Sequence, residues 1–171
     1  MSIIQGCRWL LILSILRRGG QNKAQKSFIG YTNSDPTHGL VIGKYANISR
    51  RADLPGQAHH LNQSAAYRDI IPYQQGVSIK LEGNILTDVG APHTRAHQSL
   101  ENFWNLYRGS DIMPANLEYT RALQQSLRAT GLPELQVQQA LGAAIRERVE
   151  AGLLGGMPVP RIPNPIYNLA Q

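Results

Sequence analysis

The chain is predicted to adopt an α+β fold. Two observations support this: one stretch with the period of a strand at residues 77–88, and three stretches with the period of a helix after it. A length of 171 residues with no internal repeat adds a third, since it suits one ordinary domain with its own core.

Taken in order, residues 1–56 form an N-terminal extension, irregular apart from a short apolar helix. That helix is the run "WLLILSIL", Trp9 to Leu16. It is far shorter than the ~20 apolar residues of a spanning helix, so no membrane-spanning segment is expected. Because "RRGGQNK" follows it without a small-residue cleavage site, the run is taken as a short packing helix, or a remnant of something upstream, and not as a signal peptide. Residues 17–57 are broken by Gly, Asn, Asp and Pro; "GLVIGKYA" is the one candidate strand, and His38 sits in a turn.

From Val77 to Asp88, apolar Val77, Ile79 and Leu81 alternate with Ser78, Lys80 and Glu82, the chain turns at Gly83 and Asn84, and Ile85 and Leu86 resume. That pattern predicts a half-buried hairpin. The preceding "LNQSAAYRDIIPYQQG" needs an extra turn or short helix. Pro92 then opens a helix carrying Leu100, Phe103, Trp104 and Tyr107. Two more helices are expected, one over Asn116 to Ala129 stopped by Gly131, and one from Pro133 to about Leu154 stopped by a Gly pair. Residues 57–155 thus make up the domain, and 156–171 a tail with four prolines that must run extended.

Composition bounds the chemistry. With 17 Lys and Arg against 11 Asp and Glu and a pI near 9.8, the chain favours polyanionic partners. Cys7 is the only cysteine, which excludes an internal disulfide and any thiolate-rich zinc site. A metal site would have to rest on histidine.

Four of the five histidines fall between His59 and His97. His59 and His60 are adjacent in "AHHLNQ", and His93 and His97 stand four apart at the head of the helix that Pro92 opens. Residues four apart share a helix face, so His93 and His97 can aim two imidazoles at one point. A solvated helix face carrying two histidines reads the same way. Thr94 stands where a zincin has its glutamate, so H-E-x-x-H peptide hydrolysis is excluded.

The order His-His, hairpin with Asn, helix with H-x-x-x-H resembles the ββα-metal core of the HNH and endonuclease VII nuclease superfamily. Within that group it is most similar to the class named for its AHH motif, found at the C-terminal ends of bacterial polymorphic toxins. The likeness spans Gln57 to Trp104, inside a core of about residues 57–108 surrounded by additional helices. It implies a hairpin and a metal-bearing helix, with His59, His93 and His97 holding one divalent ion, His60 acting as general base, and Asn84 orienting His60. Asn62 is the alternative for that last role.

Three neutral imidazoles leave positions open for water and a phosphate oxygen, and lean toward Zn, Ni or Mn over Mg. Arg95, Lys80 and Arg68 are the candidate nucleic-acid contacts, with Arg50 and Arg51 near the motif. The resemblance further implies an antibacterial effector, secreted or delivered into the target-cell cytoplasm, that cuts nucleic acid (DNA favoured) and is neutralised by a cognate immunity protein. A noncatalytic metal-stabilised binding module and a metal-independent RNase are the competing readings.

Overall fold

The computed structural model describes residues 40–166 and Leu169; the expected apolar helix at 9–16, Cys7 and His38 lie outside them. The described residues form a mixed α+β fold with five helices and one small antiparallel sheet. In chain order the elements are β1 (Gly43–Lys44), α1 (Tyr45–Ile48), β2 (Gln57–His60), α2 (Ser64–Tyr67), a 3-10 turn (Tyr73–Gln75), β3 (Val77–Leu81), α3 (Pro92–Asn105), α4 (Asn116–Ala129) and α5 (Glu134–Glu150). None of these helices is long and apolar enough to cross a membrane.

The hairpin expected at 77–88 does not form. β3 lies in the middle of the sheet, antiparallel to β1 on one side and β2 on the other, in the order β1-β3-β2. Residues 84–88 turn back on themselves instead: Asn84 Oδ1 accepts the Leu86 N–H at 2.9 Å, and Asp88 Oδ2 accepts the Asn84 N–H at 3.0 Å. An Asx turn of this kind offers the backbone local partners in place of a ladder. Central placement also explains why the polar residues of β3 are not solvated: Ser78 and Lys80 are buried, with α1 and α5 packed against the strand.

α3 starts at Pro92 as expected, where a missing N–H costs nothing. Its stripe of Ala96, Leu100 and Trp104 is fully buried. Trp104 stacks on Tyr119 of α4, its indole N–H bonds Gln63 Oε1, and the Tyr119 hydroxyl donates to Leu61 O at 2.9 Å while accepting from Gln63 N–H at 2.8 Å. Burial of a side chain the size of Leu100 contributes about 1.5–3 kcal/mol, and the two polar aromatics tie α3 and α4 to the chain just after the histidine pair.

α4 matches its expected bounds and ends at Gly131, which takes a φ of 88°. α5 ends at Glu150, four residues short of expectation. Gly152, at φ 80°, stops it, and Leu153 N–H reaches back to Arg148 O at 2.8 Å, so the later Gly pair has no part in the cap. The Pro-rich tail lies across the domain. Val159 is buried, its N–H bonds Pro114 O at 2.9 Å, and Arg108 Nε donates to Pro163 O at 2.9 Å.

Candidate metal centre

In the β2 to β3 register His59 is opposite Ile79 and His60 opposite Ser78. Alternate strand residues face opposite ways, so His59 turns to the face packed against α3, while His60 turns toward Tyr45 of α1. Since β2 is an edge strand, both faces open at one rim. His59, His60, His93 and His97 all line the same cleft of about 370 Å³, together with Tyr45, Tyr73 and, from the tail, Asn164 and Ile166.

α3 brings the helix pair to the same place. His93 and His97 flank its apolar stripe, which explains why they are carried inward instead of onto a solvated face. His59 is 2 % exposed and His93 4 %. Candidate ligand nitrogens of His59, His93 and His97 all lie within 4.8 Å of one another, and the Nε2 atoms of His93 and His97 are 3.2 Å apart. Two nitrogens bound tetrahedrally to a common zinc-sized ion sit roughly 3.4 Å apart.

The local chain fixes the tautomer of His93. Its Nδ1 lies 3.3 Å from Gly83 O, and because a carbonyl only accepts, Nδ1 carries the hydrogen and Nε2 presents its lone pair to the cluster. Gly83 must be glycine here: at φ 94°, an added Cβ would stand 2.2 Å from the Ala91 Cβ. The Asx turn at Asn84 holds this loop against the head of α3, where Thr94 Oγ1 donates to Asp88 O at 2.8 Å. Asn84 therefore acts on the loop and not on His60.

Burial, more than any charge, depresses the basicity of all four rings. His59 falls well below the ordinary value of 6.5, with further lowering by His97 and His93. His97 is pushed down to about 4 by burial and then by His93. His93 and His60 are lowered in the same direction, each opposed by its backbone carbonyl. At neutral pH the cluster is a set of uncharged nitrogen donors.

Among the described residues, both ring nitrogens of His59 and Nδ1 of His97 are buried without a hydrogen-bond partner. Unpaired buried polar atoms are costly, and a cation taking one nitrogen each from His59, His93 and His97 would give His59 one of the partners it lacks, which the donor set fits. The three residues can hold a divalent ion; among the described residues no cysteine or carboxylate lines the cleft to close a fourth position or to specify which ion.

His60 stands apart from the trio. Its Nε2 donates to Tyr73 O at 2.9 Å, which leaves the lone pair on Nδ1. The backbone of Tyr73 does what was expected of Asn84. Asn62, the alternative, bonds Ala144 O at 2.9 Å and Glu147 Oε2 at 2.8 Å, and so fastens the strand end to α5. No sequence signal marks Tyr73, because its carbonyl and not its side chain makes the contact.

The expected cationic approach is not built as predicted. Arg95 turns away to cap the C-terminal end of α4, donating to Ala129 O at 2.6 Å, Thr130 O at 2.9 Å and Gly90 O. A guanidinium at a helix C-terminus satisfies carbonyls that have no intrahelical donor. Lys80 bonds Gly56 O at 3.0 Å and lines a separate cavity of about 390 Å³, beside Asp53 and Glu82. Arg68 is exposed, and Arg51 pairs with Asp53. Among the described residues no Lys or Arg lines the histidine cleft. Five of the 17 cationic residues and one of the 11 carboxylates lie in residues 1–39, so most of the net charge of +6 belongs to that segment.

Comparison of the chain with protein-family models, with curated proteins and with solved structures gave no match.

Proposed function

We propose that the chain is a metal-dependent endonuclease of the ββα-metal type, similar to the AHH toxins, with β2, β3 and α3 as its core. The observation that carries this reading is the division among the histidines: three uncharged imidazoles converge, and a fourth in the same cleft has one nitrogen tied to a carbonyl and the other open. A divalent ion held by His59, His93 and His97 would neutralise charge on a phosphodiester oxygen. His60 takes the proton of the attacking water at Nδ1 while Tyr73 O keeps its Nε2–H in place, a role worth about 10²- to 10⁴-fold in rate.

A purely structural metal site is disfavoured by the missing fourth protein ligand among the described cleft residues. On the same reading the domain is the toxic part of an antibacterial effector, delivered to the cytoplasm of a target cell, with DNA the favoured substrate and a cognate immunity protein as partner. The order of the motif supports that part. Incubation of the purified chain with plasmid DNA and total RNA, adding Mg²⁺, Mn²⁺, Ni²⁺ or Zn²⁺ separately beside an EDTA control, tests the proposal. Metal-dependent cutting that His60→Ala abolishes is the expected result. Undiminished cutting in EDTA points to a metal-independent RNase, and no cutting by folded, metal-loaded protein removes the nuclease reading.

A further inference from the structure

We infer that Gly76 and Tyr45 are positioning residues for His60, forming with Tyr73 a sleeve along one side of the imidazole that fixes its orientation. The inference rests on the proposed role of His60 and extends it to residues that neither the motif nor the resemblance singles out.

Three residues define the sleeve. The ring of Tyr45 lies flat against His60, with centroids 4.3 Å apart and planes at 6°, while Tyr73 packs against both rings, 4.7 Å from His60 at 55° and 4.6 Å from Tyr45 at 60°. Tyr73 O takes the Nε2–H. Gly76 forms the floor: a Cβ built there would meet His60 Cδ2 at 2.7 Å and Nε2 at 3.3 Å. Tyr45 is itself pinned to this floor, its N–H donating to Gly76 O at 2.8 Å.

The need for glycine at this position comes from the ring and not from the backbone. Gly76 has a φ of −56° and a ψ of 132°, angles any residue adopts, so conformation does not require glycine here. The closest atom an added Cβ would strike is on His60. The ring can swing aside, but doing so takes it off the flat face of Tyr45 and away from the Tyr73 carbonyl, so relief costs the orientation that those two contacts set. A misplacement of about 1 Å is enough to cost on the order of 10²-fold in a positioned reaction.

Gly76→Ala in the full chain is therefore expected to lower kcat for nucleic-acid cleavage by about 100-fold while KM stays within about threefold. Affinity of the three-histidine cluster for Zn²⁺, measured by titration, should be unchanged. Tyr45→Ala should lower kcat by about tenfold, and Tyr45→Phe, which keeps the stacking face, should recover it to within about threefold. The imidazole ¹⁵N shifts of His60 give a readout independent of turnover: a single Nε2–H tautomer in the parent, mixed tautomers in Gly76→Ala and Tyr45→Ala. If the parent cuts nothing, the nuclease reading fails while the ¹⁵N measurement still decides whether the sleeve holds His60. Parent-like kcat or a parent-like single tautomer in both Gly76→Ala and Tyr45→Ala overturns the inference. So does a parallel loss of Zn²⁺ affinity and kcat, which would make the contacts structural.

Discussion

The two histidine pairs of this protein solve opposite problems with the same side chain. His59 and His60 are neighbours on a strand, so the pleat sends them to different faces, one into the imidazole cluster and the other against Tyr45 and Tyr73. His93 and His97 are four apart on a helix, so the turn stacks them on one face with their Nε2 atoms 3.2 Å apart. Adjacency on the strand divides labour, whereas spacing on the helix shares it.

The sharpest way to break this comparison is to remove one histidine from each role. On the proposed reading His60→Ala should lose about 10²- to 10⁴-fold in cleavage and keep its metal affinity, because only the proposed proton acceptor is gone. His59→Ala should lose metal binding along with cleavage. Equal metal affinities in the two variants would show that the strand pair is not divided.

Metal addition sharpens the same contrast through stability. A ligand present at about 1,000 times its Kd adds roughly 4 kcal/mol to the folded state. Zn²⁺ should raise the Tm of the parent and of His60→Ala, and leave that of His59→Ala where it was.

Acid should act on the cluster next. In the metal-free chain His97 sits at about 4 against an unfolded value near 6.5, so the unfolded state binds more protons between those limits. Stability is complete above about 6.5 and falls as pH drops toward 4, by on the order of 3 kcal/mol for His97 alone. His59 and His93, lowered in the same direction, add to the loss. Urea unfolding at pH 7.5 and 4.5 measures it; His97→Gln should flatten the dependence, and an unchanged slope would mean His97 is not buried in solution.

A smaller effect separates the cleft from the scaffold. Arg95→Ala should destabilise the fold by about 1–3 kcal/mol, since it uncaps α4, and leave the salt dependence of KM alone. With no cation among the described residues that line the cleft, that salt dependence should be shallow in the parent as well. A steep fall of affinity with salt would place phosphate contacts in residues 1–39 or on exposed arginines such as Arg68.

Much of the helical part of the fold was legible in the sequence. Periodicity and stop signals placed α3 at Pro92, α4 at Asn116–Ala129 and α5 to within a few residues, because those signals are local. The hairpin expected at 77–88 misled, although its first strand is present as β3. Its alternation is genuine, but pairing partners lie far along the chain, and β2 and β1 supplied them where Ile85 and Leu86 were expected to. Arg95 and Lys80 misled for a related reason: an exposed cation and one bonded to a distant carbonyl look alike in sequence.

By itself the sequence determined that thiolates could not build a metal site, that one helix would carry two histidines on one face, and that the chain would be α+β. Residue type and local period are enough for that. Only the tertiary structure decided that His59 joins the helix pair while His60 does not, that a backbone carbonyl and a glycine floor hold His60 instead of Asn84, and that no cation stands among the described residues of the cleft. Those are contacts between segments distant in sequence, set by which strand lies at the edge and which side chains the core draws inward.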